Sequence, residues 1–375
     1  MTDTVHRVQG LNNDVAPADW PAIGSDEVAW LATRVAALRG AGAIAWHSPR
    51  PMSAAAIVPT DDGAVFIKRH HHSVRTAATL SEEHHFIAHL AAASVPVVQV
   101  LAANDGATAI AHGPWTYELH AVPAGEDLYR DTPSWTPLTS LVHARQAGRM
   151  LARLHLAAAG YHAPQRGTHV LVARDELIRA ADPLAELERQ LPARPALADY
   201  LSTRPWRAQI SDALLPWHAA LGTRLAHEPR LWAHNDWHAS NLLWHADGDV
   251  ACVLDFGLAS PTSALYDLAT AIERNAIAWL QLERCHDAVH VDTALALLGG
   301  YAELCPLSAA QRALLADLLP LVHVDFALSE VEYYHGITGS PTNAALAYDG
   351  FLLGHARWFH TAPAQALLAA LRSGG

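Results

Sequence analysis

The chain has 375 residues, of which 51% are apolar and 17% charged, and carries a formal net charge of -12. This length exceeds the size at which one hydrophobic core usually stops growing, so two lobes are expected, and the balance of residues excludes a disordered chain. The acidic surplus disfavours a general binder of nucleic acid or anionic membrane, whose phosphates need a basic face, and permits a cationic partner.

The N-terminal stretch "MTDTVHRVQGLNNDVAPADW" has no basic segment leading into an apolar one. No later run reaches the roughly eighteen apolar residues of a membrane span. These patterns predict a cytoplasmic protein. Residues 24 to 40, "GSDEVAWLATRVAALRG", open on a Ser-Asp cap and close on glycine, which predicts a short helix. From 43 to 68 the short runs "AIAWHS", "SAAAIVPT" and "AVFIKRH" predict three antiparallel strands, the last ending at Lys68. A helix follows, with Ser81 as its cap and Glu83, Phe86, Ile87 and Leu90 on one face. "QVLAAND", "TAIAHG" and "WTYELHAV" complete a sheet of about five strands. Beyond the crossover "PAGEDLYRDTPSW", one or two helices each are expected over 137 to 159, 172 to 190, 206 to 226, 263 to 282, 291 to 303, 308 to 335 and 342 to 372. The exception is "NLLWHADGDVACVLDFG", a hairpin around a "DGD" turn. The expected fold is α+β: a small antiparallel-sheet lobe with one helix over residues 1–120, a larger, mostly helical lobe over 121–375, and a crevice between them.

Cys252, Cys285 and Cys305 are spaced too widely for a disulfide framework or a zinc knuckle. "KRHHHS" and "EEHHF" invite a zinc reading, but no cysteine or carboxylate stands at ligand spacing, and consecutive side chains diverge. His70 to His72 are therefore expected to form a solvated strand end. Lys68 is the only lysine in the chain, the other basic residues all being arginine. A site that needs a slim point charge instead of a planar fork would retain it, and so would chance.

The densest polar chemistry lies in "HNDWHASNLL", where His234, Asp236 and Asn241 precede the hairpin and Asp255-Phe256-Gly257 follows it. This order resembles the kinase catalytic loop H-R-D-x-x-x-x-N followed by D-F-G, with Asn235 in place of the arginine. Phosphoryl transfer asks the protein to align a hydroxyl and neutralise phosphate charge, and a carboxylate base with hard oxygen ligands for magnesium supplies both. The resemblance also asks for a lysine on the third strand and a glutamate on the next helix. Lys68 and Glu83 answer it, because Glu82 points about 100° away on the helix. The glycine-rich phosphate loop is missing; the corresponding turn reads "WHSPRPMSAA". That departure, His238 two residues after Asp236, the loop "HNDWHASN" and the later "YDLA" resemble the aminoglycoside phosphotransferase and choline kinase group, whose loop typically reads His-Gly-Asp-x-His-x-x-Asn.

The resemblance spans roughly residues 43 to 270 and implies a bilobal protein-kinase-like fold. It implies an ATP-dependent, Mg2+-dependent phosphotransferase acting on the hydroxyl of a small molecule. Asp236 would be the base, Asn241 and Asp255 the magnesium ligands, and Lys68 with Glu83 the pair that orients the phosphates. Ser53 in the glycine-free turn would reach phosphates, while Arg50 is read as an exposed loop residue. Adenine would lie against Leu119, His120 and Val122. His234, His238 and Asp267 would support the loop, helix solubility being the competing reading for Asp267. For the acceptor, Asp325, Glu330, Glu332, Tyr333 and Tyr334 would form an acidic, aromatic pocket, unless their helical spacing scatters them over a solvated face and the core. A protein kinase of the bacterial stress-response type and an inactive nucleotide sensor are the competing functions. Neither the acceptor, the choice between ATP and GTP nor the oligomeric state is legible.

Overall fold

The structure, a computed structural model, describes residues 6–11, 15–282 and 288–374; Cys285 and the first five residues lie outside them. The chain divides into two compact units, Met1–Gly125 with Cys252–Leu254, and Glu126–Ala251 with Asp255–Gly375.

In the first unit, β1 (Arg7–Gln9) and β2 (Val15–Pro17) form an antiparallel pair that the sequence reading did not anticipate. Helix α1 (Ser25–Ala32) is shorter than expected, because Val35 turns extended and only a 3-10 turn, Ala36–Leu38, follows. Strands β3 (Trp46–His47), β4 (Ala54–Thr60), β5 (Gly63–His71), β6 (Ala109–His112) and β7 (Trp115–Ala121) form one antiparallel sheet in the order β3-β4-β5-β7-β6. "QVLAAND" is not one of its strands. Its amides divide between partners, Leu101 donating to Leu119, Ala103 to Ala107 and Asn104 to Arg34, so no single ladder forms. Helix α2 (Ala77–Ala92) starts earlier than expected, capped by Thr76, whose hydroxyl accepts the Thr79 amide. Ser81 instead lies inside α2 and donates to the Ala77 carbonyl at 2.8 Å.

Strand alternation sorts this unit's residues. Ala56, Val58, Val65, Ile67, Tyr117 and Leu119 pack with Val28, Leu31, Val35 and Leu38 as one apolar core. Lys68 belongs to the opposite face, across from Ala55 on β4 and Glu118 on β7. Lys68 lies three residues before the end of β5, not at it.

His70, expected to be solvated, is buried instead. Its Nε2 lies 3.1 Å from Oε1 of Glu118, whose Oε2 lies 3.0 Å from Nε2 of His84 and 3.1 Å from Nε2 of His120. A carboxylate partner thus comes from a strand 48 residues away, which local spacing does not reveal. Burial pushes the Glu118 carboxyl up, but the His120 charge and three imidazole N–H donors outweigh it and hold the group well below its usual value. Burial pushes His70 below its ordinary 6.5. Both shifts place more bound protons on the unfolded chain, so stability falls with pH, first as it drops below 6.5 through the histidine and then through the carboxylate range. Acid titration followed by circular dichroism should show this loss for the wild type and a shallower one for Glu118→Gln; an unchanged slope would remove the linkage.

In the second unit, α3 (Leu141–Ala158) leads to α4 (Glu176–Arg179), α5 (Pro183–Gln190), α6 (Pro195–Ser202), α7 (Trp206–Leu221) and α8 (Arg224–His227). Next come β8 (Leu231–Ala233), β9 (Leu242–Trp244), β10 (Val250–Val253) and β11 (Ser260–Thr262). Helices α9 (Ala264–Ala276), α10 (Val291–Ala302), α11 (Ala309–Leu318), α12 (Val324–Tyr333), α13 (Pro341–Ala345), α14 (His355–Trp358) and α15 (Ala362–Ser373) complete it. The stretches 172 to 190 and 308 to 335 each hold two helices, divided before Pro183 and at Pro320, because proline ends a helical hydrogen-bond ladder. The hairpin is β9 and β10; β8 pairs antiparallel with β11, a three-residue ladder too short to read from sequence. Gly148 on α3 and Gly300 on α10 let those helices touch, since a Cβ on either would overlap a carbonyl oxygen, of Leu297 and Arg145 respectively. Among the described residues no helix is long and apolar enough to cross a membrane.

Candidate active site

The loop between β8 and β9 carries His234, Asp236, His238 and Asn241. Its entry is tied to α9. Asp267, fully buried in the first turn of α9, accepts the amides of His234 at 3.0 Å and Asn235 at 2.8 Å, and its Oδ2 lies 3.0 Å from Nε2 of His155. Asn235, where the resembling loop has glycine, adopts a φ of 61°. Only glycine enters this left-handed region freely; asparagine is the next most tolerant residue. The Asn235 side chain adds bonds that glycine lacks. It donates to the carbonyls of Ala233 and Ser260 at 3.2 and 3.1 Å and accepts from the Thr262 hydroxyl at 2.7 Å. We expect Asn235→Gly to cost the side-chain bonds alone, and Asn235→Ala a further 1–2 kcal/mol or so for the backbone conformation. Equilibrium denaturation of the two variants measures the difference; equal stabilities would contradict it.

His234 is buried, and its Nδ1 accepts the Asp236 amide at 3.2 Å. Its ring also meets Phe256 edge-on at 4.8 Å, linking the loop to the Asp255-Phe256-Gly257 turn. Asn241 donates from Nδ2 to the Asp236 carbonyl at 2.9 Å and to Asp236 Oδ2 at 3.2 Å. Because both partners accept, the amide nitrogen must face them, and Oδ1 is the atom left to meet a cation. Asp255 has a φ of 52°, and its Oδ1 accepts the Gly257 amide at 3.2 Å. Two hard oxygen donors in this order suit magnesium. His238 bonds the Ser240 hydroxyl through Nδ1 at 2.9 Å, and its Nε2 stands 3.6 Å from Asp236, too far for a direct hydrogen bond.

The sequence reading missed Arg274, near the end of α9, which forms an ion pair with Asp236 Oδ1. Its guanidinium lies 5.1 Å from the Phe326 ring centre and 5.8 Å from that of Trp135. Burial lowers the Arg274 value to about 10, opposed by the Glu330 charge; burial also raises Glu330 to about 8. These groups line an internal cavity of about 20 Å³ with Glu273, Trp279, His323, Phe351 and His355. Of the five residues assigned to acceptor binding, only Glu330 lies here. Tyr333 and Tyr334 are core residues. Asp325 is buried 3.9 Å from Arg194, which also holds Glu332 at 2.8 Å. Arg274 sits beyond "YDLA" with no motif to single it out.

In the first unit, Glu83 is buried on α2 while Glu82 is half-buried. Ser53 precedes β4, in a turn braced by the N-terminal strands. Gln9 donates its amide to Pro49 at 2.8 Å and accepts from Arg50 at 2.6 Å, and Trp20 donates to the Met52 carbonyl at 3.1 Å. Arg50 is therefore a brace and not an idle loop residue. Leu119 faces the apolar core, away from Lys68. His120 shares the Lys68 face, with its Nε2 bonded to Glu118, and the Val122 amide donates to Ala64 at 3.2 Å.

The five-stranded sheet, the α2 helix and the loop–hairpin–turn of the helical unit define a kinase-like fold. The chain belongs to the phosphotransferase enzyme family, whose model matches residues 54–307. Among curated proteins it is similar to homoserine kinase from Caulobacter sp. (strain K31), 27% identical over 49% of this chain and 49% of that protein. It is also similar to homoserine kinase from Methylocella silvestris, 28% identical over 54% of this chain and 56% of that protein. The chain thus spans about half the length of these relatives. Among solved structures, the fold is similar to an aminoglycoside phosphotransferase from Alicyclobacillus acidocaldarius, with a TM-score of 0.53, 15% identity and coverage of 94% and 96%. It is also similar to a microcompartment-associated aminopropanol kinase, with a TM-score of 0.52, 17% identity and coverage of 89% and 93%.

Proposed function

We propose that this protein is an ATP- and magnesium-dependent kinase that phosphorylates a hydroxyl of a small, amine-bearing metabolite or antibiotic in the cytoplasm. The observation that carries the reading is the Asp236 loop: a carboxylate held by Asn241 and Arg274 on a backbone braced by Asp267. Asp236 accepts the hydrogen bond of the acceptor hydroxyl and takes its proton as the new oxygen–phosphorus bond forms and the bond from the γ-phosphorus to the departing ADP breaks. Asn241 and Asp255 would hold magnesium, which when bound neutralises phosphate charge. Lys68, with Glu83, orients the phosphates; near the adenine Leu119 supplies backbone alone, its side chain being in the core, and His120 and Val122 supply backbone and packing.

The acceptor approaches from the side where Trp135, Phe326, Glu330 and Arg274 gather. The faces of the Trp135 and Phe326 rings favour a cationic nitrogen. Relatives named homoserine kinase and a neighbour named aminopropanol kinase agree with an amino alcohol. The test is ADP release with magnesium and ATP across a panel of amino alcohols, aminoglycosides and neutral sugars. Acceptor-dependent release confined to amine-bearing compounds supports the reading; release with neutral sugars alone would overturn the acceptor class.

A further inference from the structure

Glu273, His323 and His355 come from three separate elements of the helical unit: α9, the residue before α12, and the start of α14. All three are buried. The Nδ1 atoms of His323 and His355 lie 3.9 and 4.0 Å from the same oxygen, Oε1 of Glu273, and the three atoms are all within 4.8 Å of one another. These spacings are too long for hydrogen bonds. Both Nδ1 atoms are buried without a hydrogen-bond partner. Among the described residues no arginine or lysine pairs with Glu273.

The tautomer of one imidazole follows from its other side. Nε2 of His323 lies 3.2 Å from the Leu352 carbonyl, which can only accept, so Nε2 carries the proton and Nδ1 presents a bare lone pair. A second bond of this kind is how proteins orient histidine ligands toward a metal. His355 is fixed by stacking on Trp279 at 3.7 Å. The adjoining cavity of about 20 Å³ has room for one water-sized occupant.

We propose that Glu273, His323 and His355 form a binding site for a divalent transition-metal ion, with zinc as the closest match. Two imidazoles and one carboxylate are the donors that prefer such an ion to magnesium. With bonds of about 2.0–2.1 Å, a tetrahedral site separates its ligand atoms by about 3.3–3.4 Å. The two histidine–Glu273 distances therefore shorten by roughly half an ångström when the ion enters. The ion joins α9 to α12 and α14, and water in the cavity fills the remaining position. The Glu118 cluster of the first unit differs, since its oxygens already accept three imidazole donors at hydrogen-bond distance.

The test uses the full, tag-free chain, stripped with chelator and titrated with zinc by calorimetry in the absence of nucleotide and acceptor. One equivalent should bind, and Glu273→Gln and His355→Asn should each weaken it by more than about 100-fold. His84→Gln should leave it unchanged. X-ray absorption at the zinc edge of the wild type should show two imidazole nitrogens with oxygen ligands, a readout that needs no variant to fold. No bound equivalent at micromolar zinc, binding indifferent to both substitutions, or a sulfur-containing shell would overturn the site. Because neither nucleotide nor acceptor is present, that failure would leave the phosphotransfer reading untouched.

Discussion

Asp236→Asn is expected to lower kcat by about 10²–10⁴-fold, the contribution of a positioned general base. The substitution keeps the shape of the side chain and, with its oxygen turned to Asn241, that contact, while its NH2 group faces Arg274; the backbone bonds to Asp267 still hold the loop in place. Binding of ATP with magnesium should change little, because Lys68, Asn241 and Asp255 are untouched. Rates measured at saturating acceptor, with nucleotide affinity from calorimetry, separate the two effects. A variant that turns over at the wild-type rate would remove Asp236 as the base. One that loses nucleotide binding in equal measure would assign it to binding instead.

Asp267→Ala should have the largest effect on stability. The carboxylate is fully buried and accepts two consecutive amides of the loop, with the His155 imidazole at hydrogen-bond distance. Each buried donor left without an acceptor costs roughly 1–3 kcal/mol, so a total of several kcal/mol is expected. Asp267→Asn should also destabilise, because one accepting oxygen becomes an NH2 group facing a donor. Urea unfolding monitored by tryptophan fluorescence measures both. A midpoint unchanged in either variant would contradict the bracing role.

The parts of the molecule that were legible in the sequence are those whose information is local. Asp236 and Asn241 lie five positions apart, and Lys68 stands in a chain otherwise without lysine, so spacing and composition expose them. The departure at Asn235 was equally visible, but its reason, a positive φ held by bonds to Ser260 and Thr262, is a property of the folded loop. The hidden parts join distant segments. Glu118 meets histidines on another strand and on a helix, and Arg274 meets Asp236 across 38 positions. Tyr333 and Tyr334 show the opposite failure: an aromatic, acidic stretch looked like a pocket wall, and helical geometry turned the rings into the core and left only Glu330 at the cavity. Prolines visible in the sequence, Pro183 and Pro320, account for two of the helix breaks, yet apolar periodicity ran across both.

The most direct measurement follows the γ-phosphoryl group itself. Radiolabelled ATP, magnesium and an amine-bearing hydroxyl compound are incubated with the protein, and the small-molecule and protein fractions are separated and counted. The account predicts label in the small molecule, bound as a phosphate ester and absent with Asp236→Asn. Label confined to protein serine or threonine, or none transferred beyond water with any acceptor, would contradict it.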